Sequence, residues 1–439
     1  MVEPIDALLD RAAPDAHLER TTVRLELLRF GRSQVTYQHS EERTVLRMRL
    51  QRNGREAWGS TTDGSPKAVA ELRDRLEAHA RAMPPGDPLP VMRAAGEAPR
   101  LPTYFSATDL ASAEDRVSLM LAVQAAMPRG TMVGGSVTNA AEEVEVATSA
   151  GLRRREHRTR AAVVAVGERE GRSTYMRTVS RDIDALDLPS VASRAAALIA
   201  RVDDGRVTPG RFRVLLWPQA VITMLATLGH IGLGGRAYGS GESPFAGRMG
   251  EPVAAGHLTV ADDAADSRGL ATGFDAEGAV KHRVPLIEDG RLVGVVHDVR
   301  SADRAGTESS GHAVPPGWRF GAGPSPSHLV MSPGALSDEA LLSALGNGIA
   351  VQRVDYVRVV QPRQGIVTGS TRDATMLVRN GRVTARLPAL RFTIALPELF
   401  RAVEAIGFRR ETGDTVFMES VVAPGMVVGE FPIDAVAHA

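Results

Sequence analysis

The side chains that could do chemistry in this sequence are a few histidines, carboxylates and serines. His230 stands near the end of an apolar stretch, residues 221–235, in which apolar side chains recur at roughly helical spacing. Two glycines end that stretch, and glycine accepts the left-handed dihedral angles at which many helices stop. The pattern therefore predicts a helix that carries His230 to the edge of a pocket, where an imidazole would bind a metal or form part of the wall.

Two pairs of carboxylates stand close together in the sequence, as general acid–base catalysis requires. Asp262 and Asp263 are adjacent, and Asp275 and Glu277 are separated by one residue. We interpret the first pair as a solvated turn. The histidines after residue 250 are dispersed without an i,i+4 pair, so a metal site would have to be built from distant segments.

Serine and histidine also occur side by side in residues 309–312, which read Ser-Ser-Gly-His. Neighbours in sequence do not make a catalytic triad, because the members of a triad meet through the fold. Residues 229–241 are rich in glycine, but they follow a predicted helix, whereas a dinucleotide-binding loop follows a strand. The run also lacks the Gly-Lys-Ser/Thr of a phosphate loop, so a structural turn is the better interpretation.

The composition argues against several classes of function. The chain has 439 residues with 52 basic and 52 acidic side chains, so no net field favours nucleic acid or membranes. Lys67 and Lys281 are the only lysines, a bias that we attribute to genomic base composition. The absence of cysteine excludes disulfides and thiolate metal sites. No apolar run approaches ~18 residues, and the first residues do not resemble a signal peptide, so we expect a cytoplasmic protein.

The elements that position these side chains predict an α+β fold of two domains. Helices on an antiparallel sheet are expected in residues 1–205, and a strand-rich β domain with covering helices in residues 206–439. Asn-Gly and Asp-Gly pairs predict tight hairpins in both halves. In the first half we expect separate strands at residues 23–29, 34–39, 44–50, 55–61, 131–138, 143–149, 151–157, 161–166 and 174–178, and helices at 4–11, 65–81, 109–127 and 188–202.

Several stretches of the C-terminal half resemble the TldD/PmbA family of metallopeptidases, also called modulators of DNA gyrase. They are residues 243–253 (SPFAGRMGEPV), 273–278 (GFDAEG), 309–313 (SSGHA), 328–334 (HLVMSPG) and 368–383 (TGSTRDATMLVRNGRV). They occur in the order typical of the family, and the N-terminal half resembles the family more loosely. The name of the family does not imply DNA binding by this neutral chain.

The resemblance implies a degenerate metal site in the predicted helix. Catalytic members of the family carry His-Glu-x-x-x-His there, with two zinc-binding histidines and a glutamate base, and a cysteine near the C-terminus as a further ligand. Aligned on His230, this sequence has Leu225 and Ala226 in place of the first histidine and the glutamate. At most one matching ligand is left, so the chain is similar to the TldE/PmbA-like members, which lack the motif and pair with a metal-bearing relative.

The resemblance also implies which side chains line a substrate cavity. Two of the family motifs, residues 273–278 and 309–313, contain acidic and histidine side chains that we expect to form part of its wall, with apolar side chains nearby. The expected wall residues are His230, Asp275, Glu277, Gly311, His312 and Trp318, with Phe320 beside the last of them.

Three hypotheses for the function follow. The first is a non-catalytic TldE/PmbA-like subunit without a cofactor of its own, which pairs with a zinc-bearing TldD-like protein, or with itself, and helps to bind small or unfolded peptides for cleavage. The second is a stand-alone, metal-independent enzyme acting on a small peptide-like metabolite, with His230, His312 and Asp275 as candidate residues. The third is a peptide-binding or scaffold protein. Turnover by the isolated chain would favour the second hypothesis, and tight binding without turnover the third.

Overall fold

The N-terminal half folds into one antiparallel sheet covered by helices. The computed structural model of the protein describes residues 4–12, 15–84, 86, 96–200, 202–315 and 323–436. In chain order the elements of this half are α1 (Ile5–Arg11), β1 (Ala16–Gly31), β2 (Gln34–Arg52), β3 (Arg55–Thr61), α2 (Pro66–Ala82), α3 (Ser106–Asp109), α4 (Ala113–Ala126), β4 (Met132–Thr148), β5 (Arg153–Arg169), β6 (Arg172–Ser180) and α5 (Leu188–Leu198). The strands pair in the order β3-β2-β1-β4-β5-β6.

The strands of this sheet are longer than the sequence predicts. β2 continues through its polar middle, where Glu42 pairs with Arg24 of β1 and both side chains are exposed. Because these side chains face solvent, they do not interrupt the backbone hydrogen bonds of the ladder. The breaks predicted within β2, β4 and β5 are therefore wrong, and each pair of predicted strands is one strand.

In the part of the chain that the structure describes, helices pack on only one face of this sheet. α2 begins after Ser65, whose hydroxyl accepts a hydrogen bond from the Ala68 N–H at 3.3 Å, and its apolar side packs against β2 and β3. Successive residues of a strand point to opposite faces, so Leu18 is buried under the helices while Glu19 points to the other side. That second face is turned toward the C-terminal half.

The C-terminal half is built around a larger, mixed sheet. Its elements are β7 (Asp203–Asp204), β8 (Gly210–Leu216), α6 (Pro218–Gly232), α7 (Gly235–Gly239), β9 (Val260–Asp262), β10 (Val284–Glu288), β11 (Arg291–Leu292), α8 (Val299–Ala305), β12 (His328–Met331), α9 (Asp338–Leu345), β13 (Gly348–Gln361), β14 (Ile366–Arg379), β15 (Arg382–Arg386), β16 (Leu390–Ala395), α10 (Leu396–Arg401), β17 (Val403–Gly413), β18 (Ser420–Ile433) and β19 (Ala435–Val436). The main path of the sheet is β11-β10-β9-β12-β18-β8-β13-β14-β15-β7. β12 runs parallel to β18 and β8 parallel to β13, whereas β18 and β8 are antiparallel.

α6 lies in the core of this half and packs against β18 and β13. It begins at Pro218, three residues before the predicted start, and proline is well placed at the first helical position because its missing N–H would have no partner there. Most of its side chains are buried on all sides, as expected for a helix that is apolar around its whole circumference. None of the helices in the described ranges has both the length and the apolar character needed to cross a membrane.

The hairpin between β10 and β11, which the Asp-Gly pair predicts, has short strands. Asp289 and Gly290 form its turn with φ of 46° and 75°, as the Asp-Gly signal indicates. The strands, however, leave the ladder early, so Lys281 and His297 lie in loops and not in strands. Lys281 is thereby free to turn toward the interior between the two sheets.

Candidate active-site cavity

A cavity of about 390 Å³ lies between the open face of the first sheet and loops of the C-terminal half. Alternate residues of β1, β2, β4 and β5 form one wall, including Glu19, Arg43, Arg47, Glu142 and Arg158. The opposite wall includes Asp275, Lys281, His312, Ser327 and His328. This second wall carries the imidazole, amine, carboxyl and hydroxyl groups that are able to do acid–base or nucleophilic chemistry.

Asp262, at the end of β9, organises this second wall from behind. Its side chain is fully buried and accepts hydrogen bonds from His312 Nε2 at 2.9 Å, the Ser327 N–H at 2.6 Å and the His328 N–H at 2.9 Å. Burial alone would raise the pKa of Asp262, but His312 and the Lys281 ammonium hold that pKa well below its usual range. The prediction that Asp262 lies in a solvated turn is wrong, because these donors replace the water that a lone carboxylate would need.

His312 is held between a carboxylate and a hydroxyl. Its Nε2 faces Asp262, so the N–H lies on that side, and its Nδ1 accepts from Ser310 Oγ at 2.9 Å. Ser310 Oγ also accepts a hydrogen bond from the His297 N–H at 2.7 Å, which fixes the hydroxyl. Burial lowers the pKa of His312, as does the charge of Lys281. His312 is therefore a neutral, oriented imidazole on the cavity wall.

Gly311 is required by the backbone between these two side chains. Its φ is 76°, and a Cβ at this position would lie 2.2 Å from the carbonyl oxygen of Val280. Only glycine accepts both the left-handed dihedral angle and this close approach. Gly311 therefore shapes the wall through its backbone and contributes no side chain to it.

Asp275 and Glu277 point in different directions. Asp275 lines the cavity and accepts hydrogen bonds from the N–H groups of Glu277 and Ala279, both at 2.9 Å, and from the Ala313 N–H at 2.8 Å. Burial and the negative charge of Glu277 raise the pKa of Asp275 to about 7. Glu277 instead lines a neighbouring cleft of about 1130 Å³.

Glu277 has its own partners in that cleft. It accepts hydrogen bonds from Arg49 Nη1 at 3.0 Å and from the Val299 N–H at 3.1 Å. Burial raises the pKa of Glu277, although the positive charge of Arg49 opposes the shift. The two carboxylates therefore do not form a pair that could share one substrate.

Lys281, Ser327 and His328 form a hydrogen-bonded group on the wall. Lys281 Nζ lies 2.7 Å from Ser327 Oγ, and Ser327 Oγ lies 2.9 Å from His328 Nδ1. His328 Nε2 lies 2.6 Å from the carbonyl oxygen of Leu270, which can only accept, so Nε2 carries the proton and Nδ1 is the acceptor. Burial and the charge of Lys281 lower the pKa of His328 to about 3, which keeps the imidazole neutral.

Sequence reasoning does not identify this group, because base composition accounts for Lys281 and His328 is one of several dispersed histidines. One signal is nevertheless available, since a chain that uses arginine almost everywhere keeps lysine at only two positions, Lys67 and Lys281. An ammonium can lose its proton when it is buried, whereas a guanidinium does not. Of the two lysines, Lys67 is exposed on a helix, so the signal applies to Lys281, where arginine would not be equivalent.

The structure does not bring His230 into this cavity. His230 lines a neighbouring cavity of about 600 Å³ and stacks on Phe417, with ring centroids 4.4 Å apart and an interplanar angle of 16°. Leu225 and Ala226 are fully buried in the core. Two aliphatic side chains and one imidazole do not fit zinc, which needs three nitrogen, sulfur or oxygen donors in a catalytic site.

No replacement for that ligand set lies elsewhere in the described ranges. Within them no group of three or more histidine, aspartate or glutamate side chains is arranged to hold a metal ion. Trp318 and Phe320, expected beside His312, lie outside the described residues.

Comparisons with known proteins agree with the fold. The sequence pattern of the PmbA/TldA metallopeptidase C-terminal domain matches residues 209–434, and the pattern of the central domain matches residues 108–201. Metalloprotease PmbA from Escherichia coli O157:H7 is 28% identical over 414 residues, which cover 88% of this chain and 85% of that protein.

Two solved structures share the architecture. TldE from Thermococcus kodakarensis has a TM-score of 0.87 at 19% identity, covering 98% of this chain and 100% of that chain. A candidate modulator of a DNA gyrase from Thermotoga maritima has a TM-score of 0.83 at 17% identity, covering 98% and 99%. These likenesses confirm the predicted α+β class. Since the C-terminal pattern alone spans more than half of the sequence, the chain belongs to the PmbA/TldD family of metallopeptidase-like proteins.

Proposed function

We propose that this chain is a non-catalytic TldE-like subunit that pairs with a zinc-bearing TldD-like relative to cleave small or unfolded peptides. This proposal rests on the side chains of α6. Leu225 and Ala226, which replace a zinc ligand and a general base, are fully buried in the core. His230 alone cannot supply the ligand set of a catalytic zinc. The likeness to TldE supports the assignment to this branch of the family.

In this proposal the chain helps to bind the peptide and forms the walls of the cavity. The wall that holds Asp275 and His312 faces the open side of an antiparallel sheet, and the space between them accepts an extended peptide segment. Zinc in the partner supplies an activated water. We place the pair in the cytoplasm, with peptide as its substrate and neither nucleic acid nor membrane as a partner.

Co-expression with the TldD-like protein of the same genome tests the proposal. We expect the two chains to copurify and the pair to cleave a mixed peptide library in a chelator-sensitive manner. The isolated chain should show no chelator-sensitive cleavage and no stoichiometric zinc after dialysis, as measured by elemental analysis. The control variant His230→Ala should leave the zinc content of the pair unchanged, because this imidazole is not a ligand in the proposal.

Two results would overturn the proposal. One is stoichiometric zinc in the isolated chain. The other is the absence of any TldD-like partner, both in the copurification and in protein captured from the native host, together with a monomer at micromolar concentration.

A further inference from the structure

The hydroxyl of Ser327 has two nitrogen partners, an amine and an imidazole, in the wall of the 390 Å³ cavity. Lys281 Nζ lies 2.7 Å from Ser327 Oγ, and His328 Nδ1 lies 2.9 Å from it. A hydroxyl within hydrogen-bond reach of a base, with that arrangement fixed by a third group, is the geometry of an activated nucleophile. None of these three side chains belongs to α6.

We propose that Ser327 and Lys281 form a serine–lysine dyad that hydrolyses a small acyl amide or ester without metal. This activity belongs to the isolated chain and is separate from the zinc-dependent peptide cleavage of the proposed function, in which the chain takes no catalytic part. Ser327 is the nucleophile and Lys281 is the general base. His328 is a positioning residue, because its ring is fixed by the Leu270 carbonyl oxygen at 2.6 Å from Nε2.

The orientation of the group leaves the hydroxyl facing the cavity. The Ser327 and His328 N–H groups both donate to Asp262, which fixes the backbone at the start of β12. Ser327 itself is 9% exposed and is one of the residues that line the cavity. The Ser325 hydroxyl lines the same wall and has no hydrogen-bond partner among the described residues. The wall therefore presents the fixed Ser327 hydroxyl to the cavity.

The surroundings of Lys281 make its ammonium easier to deprotonate than that of an exposed lysine. Burial lowers the pKa of this amine, while the nearest carboxylates oppose the shift. Asp262 is the strongest of these opposing charges, whereas Asp275 opposes the shift less because its pKa is raised to about 7. The charged or titratable groups around the amine are Asp262, Asp275, Glu419, Arg158, His312 and His328.

The reaction balances with water as the only co-reactant. While Lys281 is charged, its Nζ donates to Ser327 Oγ and the hydroxyl proton faces His328 Nδ1. Once Nζ has lost its extra proton, the hydroxyl turns to it, and the Ser327 proton moves to Lys281 Nζ as Oγ bonds to the carbonyl carbon of the substrate. The carbon–nitrogen or carbon–oxygen bond then breaks, and the proton on Nζ goes to the leaving amine or alkoxide. Water gives a proton to Nζ, its oxygen bonds to the acyl carbon, and Oγ leaves and takes the proton back. The products are a carboxylic acid and an amine or alcohol.

The size and charge of the cavity define the class of substrate. A volume of about 390 Å³ is at the small end for ligand sites, so we expect a short acyl or aminoacyl compound and not a folded protein. Arg43 of the first sheet lines the opposite wall, where Arg47 is already paired with Glu19. A substrate with a carboxylate beside the scissile bond fits this wall best.

Active-site labelling of the purified chain, kept in chelator, tests the dyad. We expect a fluorophosphonate probe to add once per chain and peptide mapping to place the adduct on Ser327. Ser327→Ala should abolish labelling, and Lys281→Met should slow it by at least about 100-fold, the scale of general-base catalysis. Lys281→Arg should not restore it, because arginine stays charged. The labelling rate should rise with pH through a midpoint below that of an ordinary lysine.

Two matched controls separate this site from background reactivity. Lys67→Met and Ser118→Ala replace an exposed lysine and an exposed serine, and neither should change the labelling rate. Circular dichroism and thermal unfolding will show whether each variant is folded. An adduct at another residue, no adduct on the wild-type chain, or an equal rate in a folded Lys281→Met variant would overturn the dyad. None of these results bears on whether the chain pairs with a zinc-bearing partner.

Discussion

Asp262 and Asp275 are buried carboxylates on the same side of the cavity, yet their pKa values shift in opposite directions. Asp262 accepts a hydrogen bond from His312 and lies near the Lys281 ammonium, and these two interactions overcome the cost of burial. Asp275 also accepts three hydrogen bonds, but from backbone N–H groups only, and it lies beside the negative Glu277. Charge in the surroundings, not residue type, therefore decides which carboxyl holds a proton near neutral pH.

Asp275→Asn should change how stability depends on pH. The pKa of Asp275 is about 7 in the folded chain and about 4 in an unfolded chain. The unfolded chain therefore loses this proton first, and the free energy of unfolding falls as pH rises from about 4 to 7. Asparagine does not ionise. The free energy of unfolding of the variant, relative to that of the wild type, should therefore rise by roughly 1–4 kcal/mol between pH 4 and pH 8.

Urea unfolding across this pH range measures the effect. The amide introduced by Asp275→Asn accepts fewer hydrogen bonds than the carboxyl, which receives the Ala313 N–H among others. The variant should therefore be less stable than the wild type at pH 4, where the wild-type carboxyl is largely protonated in the folded chain. Asp303→Asn, at an exposed position on α8, measures the background effect of removing a carboxyl. A difference between Asp275→Asn and wild type that does not change with pH would contradict the expectation.

Among the elements, α6 is limited by close packing. A Cβ on Gly229 would lie 2.7 Å from Leu329 Cδ1 and 3.0 Å from Met418 Cε. Both neighbours are fully buried, so they have little room to move. Gly229→Ala should therefore lower the free energy of unfolding by about 1–3 kcal/mol, although alanine is the better helix former.

The neighbouring helix α7 provides the matched control. Gly239 also lies in a helix, but a Cβ there would meet no atom within 4 Å. Gly239→Ala should be neutral or slightly stabilising in the same thermal unfolding assay. Equal melting temperatures for the two variants would show that the core around α6 adjusts more easily than its burial indicates.

Local signals made some elements predictable and left others obscure. Turns were predictable because Asn-Gly pairs act locally, and Asn53 and Asn380 have φ of 49° in the turns that the sequence indicates. The burial of Asp262 was not predictable, since its partners His312 and Ser327 lie 50 and 65 residues away in the sequence. The dyad was missed for the same reason, because Lys281 and Ser327 are 46 residues apart.

Restoring the family residues in α6 should not create a peptidase. Leu225 points into the core, whereas His230 lines a cavity and is stacked on Phe417. On a regular helix, positions five apart differ by about 140°, so the imidazole introduced by Leu225→His would not converge with His230 on one ion. Burying an unpaired imidazole and carboxylate should also cost about 1–3 kcal/mol each.

The double variant Leu225→His, Ala226→Glu tests this expectation. We expect a less stable protein with weak zinc affinity and no chelator-sensitive cleavage of a peptide library, as followed by mass spectrometry. Strong cleavage that needs added zinc would show that α6 keeps a latent metal site. In that case the assignment to a non-catalytic branch would be wrong.

At the scale of the whole molecule, a few polar side chains connect the two sheets across the cavity. Asp414, after β17, accepts hydrogen bonds from Arg160 of β5 and from Arg177 of β6, the latter from Nε at 2.8 Å. Gln352 of β13 reaches the edge of the first sheet at β6. These contacts fix the distance between the walls, and therefore the shape of the cavity on which both proposals depend.

Gln352→Leu should lower the free energy of unfolding more than the same substitution at an exposed position. Gln352 is 3% exposed, and its amide imitates a neighbouring strand. Its Oε1 accepts from the Tyr175 N–H at 3.0 Å, and its Nε2 donates to the Tyr175 carbonyl oxygen at 2.9 Å. Leucine has a similar size but no polar atoms, so it leaves both backbone groups of Tyr175 without these partners. Each buried unpaired group costs about 1–3 kcal/mol, which predicts a total loss of roughly 2–5 kcal/mol.

Thermal and urea unfolding of Gln352→Leu measure this loss, and hydrogen exchange shows where it acts. If the amide holds the sheets together, exchange should increase first at the Tyr175 N–H and along β6. The N–H groups of α6, in the core of the C-terminal half, should keep their protection. Gln361→Leu makes the same substitution at the exposed end of β13 and should change the unfolding free energy by less than about 0.5 kcal/mol. Equal losses of unfolding free energy in the two variants would mean that apolar packing alone holds the sheets together. The apolar cores on either side of the cavity would then determine its shape.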